Sequence, residues 1–258
     1  MIRFNEMDEE AGLRPTLGRR ILFVWFAVEA ALWTIPMAIL QFTTHQFDPT
    51  ARNFKRVAHL WGGVILRLSG IRVRVTDRAH LDSSKPYVFA SNHQNLLDIL
   101  ALSDALPYPF GFVAKEELAR VPFLGFAIRN SASVFIDKRD PRRAIVSLRE
   151  AGERIRSGNS VLIFVEGTRS YSSNLQSLKK GAFAVAVEAG VPLVPVTVVN
   201  AYKLMHEKKR LVRPGKIDIV VGEPISLEGK GRRDIPELME AVRGAMQREL
   251  GTGKVDGG

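Results

Sequence analysis

A chain of 258 residues is long enough for one well-packed domain with an appendage, and 46% hydrophobic against 25% charged residues suggests neither a disordered chain nor a polytopic membrane protein. The absence of cysteine excludes a disulfide framework, a thiolate metal site and a Cys nucleophile, and fits a cytoplasmic-side location. A formal charge of +10, from 37 Lys and Arg against 27 Asp and Glu, favours an anionic partner: a phosphate-bearing ligand, an anionic leaflet or nucleic acid.

Residues 1–16 read as a flexible N-terminus. Ile21 to Leu40 then has the length of a membrane-spanning helix, interrupted by Glu29, Thr34 and Pro36. Its Leu, Ile, Phe and Val residues contribute roughly −3 to −6 kcal/mol to insertion, against about 3 for a carboxylate near the middle, so insertion is marginal. Glu29 and the lack of a small-x-small site after Leu40 argue against a cleaved signal peptide. Val57 to Leu68 is a second apolar helix carrying Trp61, too short to cross a bilayer.

Arg14, Arg19 and Arg20 precede the first helix and Arg52, Lys55 and Arg56 follow it, so the positive-inside rule orients no single span. The expectation for residues 17–70 is a membrane-association segment of two helices dipping into one leaflet, with Trp25, Trp33 and Trp61 at headgroup level. A single span is one alternative. A hairpin packed on the protein's own core, with Glu29 paired, is another.

Residues 71–250 alternate between strand and helix patterns. Ile71 to Thr76 has the period of two of a half-covered strand, and Tyr87–Ser91, Phe110–Ala114, Ser133–Ile136, Val161–Val165, Leu193–Val199 and Ile217–Val221 are further short strand runs. Between or after them lie helical segments at Leu96–Leu106, from the Asp140-Pro141 cap onward with Ile145, Leu148 and Ile155 on one stripe, at Leu178–Ala189 and at Ile235–Leu250. The order predicts an α/β domain with a mixed, largely parallel sheet flanked by helices, whose ligand site lies beyond the strand C-termini. Residues 251–258, rich in glycine, read as a mobile tail.

The chemistry-bearing residues cluster after those strands. The run Asn92-His93-Gln94-Asn95-Leu96-Leu97-Asp98 puts a histidine and a carboxylate at a strand-to-helix junction. On one continuous helix five positions rotate about 500°, about 140° net, and the two side chains part. With His93 in the loop and Asp98 in an early turn, the carboxylate folds back onto the imidazole, fixing its tautomer and freeing the other nitrogen to take a proton from a hydroxyl. The bland alternative is a helix-capping Asn and a satisfied histidine. No G-x-S-x-G elbow and no cysteine occur, which points to a substrate hydroxyl as nucleophile and a thioester as electrophile.

Glu166-Gly167-Thr168-Arg169 follows another strand; the glycine allows close backbone approach and Arg169 presents a planar fork for phosphate. A surface turn with an Arg–Glu pair is equally compatible. Lys115 and the Lys138-Arg139 pair also follow strands, within reach of one anion if the loops converge. The basic group Lys203, Lys208, Lys209, Arg210, Arg213 and Lys216 is a solvated face or an anion-binding one. His45, His59, His80, His93 and His206 show no ligand spacing, so no metal site is expected.

Asn92-His93 through Asp98, Phe135-Ile-Asp-Lys138, Phe164 through Ser170, Lys179-Lys-Gly181 and Val191-Pro-Leu-Val-Pro195 resemble, in order and spacing, the motifs of the lysophosphatidate acyltransferase family over about residues 71–225. The resemblance implies His93 as base, Asp98 as its orienting partner, Lys115 and Arg169 as ligands of the acceptor phosphate, and Glu166, Gly167 and Thr168 as part of that pocket. Val165 stands where the family usually has Pro, Ala132-Ser133 where it has Gly-Gly, and Lys138 where it has Arg.

The expected reaction moves an acyl chain from a thioester, acyl-CoA or acyl-acyl-carrier-protein, to the sn-2 hydroxyl of 1-acyl-glycerol-3-phosphate, with no cofactor and no nucleic-acid partner, at the cytoplasmic face of the membrane. Alternatives are another acceptor, such as glycerol-3-phosphate or a different lysolipid, and a non-catalytic basic module that binds membrane surfaces or nucleic acid.

Overall fold

The structure, a computed structural model, describes residues 12–48, 51–131, 133–137 and 141–252. The Asp140 cap, the Lys138-Arg139 pair, Ala132 and most of both expected flexible ends lie outside the described residues.

Helix α1 (Leu17–His45) opens at Thr16, whose hydroxyl accepts the Arg19 N–H at 3.3 Å, and α2 (Ala51–Leu68) returns antiparallel beside it. Three polar contacts stitch the pair: Asn53 Nδ2 donates to Thr44 Oγ1 at 3.0 Å, Trp61 Nε1 to Thr34 Oγ1 at 3.1 Å, and the Ser69 hydroxyl to the Glu29 carboxylate. Glu29 is therefore buried with one carboxylate oxygen bonded to Ser69, which offsets part of the penalty a lone carboxylate imposes in an apolar helix.

The hairpin is docked on the main body rather than detached from it. Phe26, Ile65 and Leu66 share a core with the sheet, and Lys55 Nζ reaches the Ser103 carbonyl at 2.6 Å. Its opposite side stays apolar and exposed along Ile21, Val24, Trp25, Val28, Leu32, Ile35 and Ile39. Among the described residues α1 is the one helix long and apolar enough to cross a membrane by length and composition. Trp25 and Trp33 lie on that exposed side, whereas Trp61 is half-buried and bonded to Thr34, so it joins the two helices.

From there the chain runs through β1 (Ile71–Asp77), β2 (Val88–Ser91), α3 (Leu97–Ala105), β3 (Gly111–Lys115), α4 (Leu124–Arg129), β4 (Val134–Ile136), α5 (Pro141–Arg156) and β5 (Val161–Phe164). It continues through α6 (Lys180–Ala189), β6 (Leu193–Val199), a small hairpin of β7 (Met205–His206) and β8 (Leu211–Val212), β9 (Gly215–Val221) and α7 (Ile235–Thr252). Seven strands form one sheet in the order β1-β9-β6-β2-β5-β3-β4; β6 and β9 meet antiparallel and every other neighbouring pair is parallel.

Alternation along the strands divides the core. Phe89, Leu162 and Val196 pack under α1, α2 and α3, while Val88, Ala90, Val161 and Ile163 pack under α5, α6 and α7 through Ile155, Phe183, Leu238 and Val242. Burying such side chains contributes roughly 1.5–3 kcal/mol each, so the short central strands are held chiefly by their two covered faces.

The strand runs and long helices appear where the hydrophobic patterns put them. A 3₁₀ turn over Glu116–Arg120, helix α4 and the β7–β8 hairpin do not follow from periodicity, because each is too short to show a period. The 3₁₀ turn and α4 meet where Gly125 lies so close to the Ala119 carbonyl that there is no room for a Cβ.

Past the end of β2, the Asn92 side chain continues its pairing with β6. Asn92 Nδ2 donates to the Val198 carbonyl at 2.9 Å and Oδ1 accepts the Val198 N–H at 2.7 Å. Asn92→Ala leaves two buried backbone groups unpaired, at about 1–3 kcal/mol each. Chemical denaturation is expected to show a loss of roughly 2–6 kcal/mol from those two groups; a midpoint unchanged from the wild type contradicts this ladder role.

Candidate active site

Strands β2, β5 and β3 are adjacent and parallel, so their C-terminal ends deliver three loops to one edge of the sheet. The first loop carries His93 and leads into α3, whose second residue is Asp98. His93 Nδ1 lies 2.7 Å from Asp98 Oδ2, and that same oxygen accepts the backbone N–H groups of Gln94 at 2.5 Å and Asn95 at 2.9 Å. Since an ionised carboxylate only accepts, Nδ1 carries the ring proton and Nε2 is the free nitrogen. Asp98 is fully buried and His93 retains 9% exposure.

Asn95 completes the junction: its Oδ1 accepts the Leu97 N–H at 2.9 Å, and its Nδ2 donates to the carbonyls of Ala201 at 2.7 Å and Met205 at 2.9 Å. Helix capping and histidine orientation, which the sequence offered as rival readings, are here parts of one arrangement. Phe164, the last residue of β5, stacks on the His93 ring with centroids 3.9 Å apart and an interplanar angle of 15°. Phe112 stacks beyond it at 6.2 Å. The imidazole is thus fixed at one nitrogen and on one face.

The second loop follows β5. Glu166 accepts the His93 N–H on Oε1 at 2.7 Å and the Gln176 N–H on Oε2 at 2.8 Å. Burial pushes its carboxyl above the ordinary range, and these two backbone donors draw it partly back. Although the resemblance places Glu166 in a phosphate pocket, this side chain is buried and its oxygens face backbone donors; its structural work is to tie two loops together. Gly167 turns the chain at φ +71°, where a Cβ would meet Lys179 Cγ at 3.3 Å. Thr168 is exposed.

Beyond the turn, the Ser170 N–H donates to the His93 carbonyl at 2.8 Å and the Tyr171 N–H to the Gln94 carbonyl at 3.0 Å. These bonds set Arg169 beside the histidine loop. Arg169 Nη1 pairs with Glu207 Oε1 at 2.6 Å, and the arginine side chain remains about a third exposed. Lys115 ends β3 at the same sheet edge with its side chain exposed. The edge therefore gathers a carboxylate-held imidazole, a partly exposed arginine and an exposed lysine, a set able to accept a proton beside a bound anion.

Phe164 and Glu207 were not singled out from sequence. A phenylalanine ending a strand level with Ser91 carries a usable signal only once the β2–β5 register is known. Glu207 is the one acid between Lys203 and Lys216, an interruption of a basic run that can be read from the sequence.

Residues 72–199 match the profile of the family described as Acyltransferase, which makes the chain an acyltransferase by class. It is 36% identical over 197 residues to 1-acyl-sn-glycerol-3-phosphate acyltransferase alpha of Mus musculus, covering 74% of this chain and 69% of that protein. It is also 36% identical over 200 residues to the 1-acyl-sn-glycerol-3-phosphate acyltransferase of Saccharomyces cerevisiae, covering 76% and 63%. The crystal structure of the 1-acyl-sn-glycerophosphate acyltransferase PlsC from Thermotoga maritima superposes with a TM-score of 0.81 at 25% identity, covering 94% of this chain and 98% of that one. This chain belongs to the 1-acyl-sn-glycerol-3-phosphate acyltransferase family.

Glu166→Gln puts an amide NH₂ against one of two backbone N–H donors. It is expected to destabilise the protein by about 1–3 kcal/mol in urea unfolding. Equal stability of the variant contradicts the bracing role.

Proposed function

We propose that the protein transfers a fatty acyl chain from an acyl thioester, acyl-CoA or acyl-acyl-carrier-protein, to the free sn-2 hydroxyl of 1-acyl-glycerol-3-phosphate, giving phosphatidate. The observation that carries the reading is the 2.7 Å contact between His93 Nδ1 and Asp98 Oδ2 at the strand-end edge. His93 is the general base and Asp98 holds its tautomer and orientation. Arg169 and Lys115 bind the acceptor phosphate, which places the hydroxyl relative to Nε2. Gly167 and Thr168 shape the turn beside that phosphate, and Glu166 fixes the turn to the histidine loop.

The acceptor oxygen attacks the thioester carbonyl carbon as its proton passes to His93 Nε2. The tetrahedral intermediate then collapses, the carbon–sulfur bond breaks, and the thiolate leaves and takes up the proton. No acyl-enzyme forms, and no metal or cofactor takes part. The apolar side of α1 rests in the cytoplasmic leaflet, a reading supported by the cost in water of a contiguous exposed apolar strip of this length.

General-base assistance is worth roughly 10²–10⁴-fold, so His93→Ala is expected to lower kcat by about that factor in an assay of labelled acyl transfer. Near-normal turnover overturns the base assignment. Arg169→Ala is expected to raise the acceptor's apparent KM with little change in the donor's, and an unchanged acceptor value removes the arginine from phosphate binding. Glycerol-3-phosphate and lysolipids with other headgroups, assayed beside 1-acyl-glycerol-3-phosphate, decide the acceptor.

A further inference from the structure

Glu207 lies beyond the family-matched segment, on the small β7–β8 hairpin, yet its carboxylate reaches the edge that carries Arg169. One oxygen, Oε1, accepts from Arg169 Nη1 at 2.6 Å and from the Tyr171 hydroxyl at 2.9 Å. Burial, and next the Glu207 carboxylate itself, push the Tyr171 phenol above its ordinary range, so it stays a donor at neutral pH. The tyrosine ring has two further neighbours: His206 stacks on it with centroids 4.6 Å apart, and Lys208 Nζ lies 5.0 Å from its centroid.

Both ends of this assembly are anchored to the histidine loop. Asn95 Nδ2 donates to the Met205 carbonyl, two residues before Glu207, and the Tyr171 N–H donates to the Gln94 carbonyl. The contacts close a ring running from Asn95 through Met205 and Glu207 to Tyr171 and back to Gln94. Tyr171 is kept at φ +54° within it, a left-handed backbone that a side chain of this size adopts only when its surroundings impose it. The Glu207 carboxylate is thus a fixed part of the loop frame, and its side chain is only 15% exposed.

We propose that Glu207 is a positioning residue for acceptor binding: through its contact with one terminal nitrogen, and with Tyr171 holding it in place, it sets the plane of the Arg169 guanidinium relative to His93. The inference rests on Arg169 being the acceptor-phosphate ligand. A guanidinium has five N–H donors in a rigid fork, so a carboxylate on one terminal nitrogen fixes its orientation and leaves donors for a phosphate. An unheld arginine on a flexible stem loses that orientation each time acceptor binds, which weakens acceptor capture more than turnover of the bound complex.

The test is steady-state kinetics on the full chain with 1-acyl-glycerol-3-phosphate and acyl-CoA, combined as a double-mutant cycle. Glu207→Gln is expected to raise the acceptor KM roughly tenfold, the scale of one lost charge-assisted contact, with a smaller fall in kcat and an unchanged donor KM. Tyr171→Phe keeps the stacked ring and is expected to move the acceptor KM in the same direction by less; Glu207→Asp, which keeps the charge, restores part of the loss. With Arg169→Ala already present, Glu207→Gln is expected to leave the acceptor KM unchanged.

A lower acceptor KM in Glu207→Gln overturns the proposal, because the carboxylate is then a competitor of the phosphate. An equal rise with and without Arg169 also overturns it, since Glu207 then acts by another route. If Arg169→Ala raises the KM while Glu207→Gln and Tyr171→Phe do not, the positioning role alone fails. If none of the three moves it, the phosphate-binding role of Arg169 fails and this proposal falls with it.

Discussion

A single carboxylate oxygen collects three donors within five residues of chain: Asp98 Oδ2 takes the ring N–H of His93 and the backbone N–H groups of Gln94 and Asn95. Each of the three bonds constrains something different. The backbone pair satisfies two donors of the loop just ahead of α3, and so ties that loop to the first turn of the helix. The ring bond fixes the imidazole relative to that start. Because Asp98 is buried, its charge is offset only by these donors, and a loop that strayed would leave the carboxylate unpaired in the core. Histidine placement is thereby coupled to the stability of the fold itself.

The neighbouring loops are organised around the same junction. Glu166 holds the His93 N–H, while Ser170 and Tyr171 take the His93 and Gln94 carbonyls. Asn92 and Asn95 bind the backbone at Val198, Ala201 and Met205. Backbone groups of these loops that would otherwise lack partners are thus satisfied by side chains and backbone of the neighbouring segments. On the far side of α3, the N-terminal hairpin presents an apolar strip while burying Glu29 against Ser69. The exposed apolar strip and the candidate site are thus joined through one shared core, as the proposed use of a leaflet-borne acceptor requires.

The α/β architecture was legible because the central strands are buried on both faces and read as short Val, Ile and Leu runs, such as Leu193–Val199, which the structure reproduces to the residue. His93 and Asp98 stood out because a strand run ends immediately before them. What could not be read depends on register between distant segments. The Phe164 ring reaches His93 only through the β2–β5 pairing, and Glu207 reaches Arg169 across 38 positions by way of a two-residue strand. Trp61 looked like an interfacial anchor by residue type, yet its indole N–H is satisfied by Thr34 inside the hairpin. Lys55 looked like a flanking cation and instead caps the end of α3 at Ser103.

The central claim is that Asp98 holds the neutral His93 ring with its proton on Nδ1, leaving Nε2 bare toward the acceptor. Nitrogen-15 NMR of the detergent-solubilised protein, labelled at its five histidines and assigned with His93→Gln, reads that tautomer directly. The predicted result is a neutral His93 with a protonated Nδ1 and a pyridine-like Nε2, a state that Asp98→Asn perturbs. A His93 protonated on Nε2, or one indifferent to Asp98→Asn, contradicts a carboxylate-oriented general base.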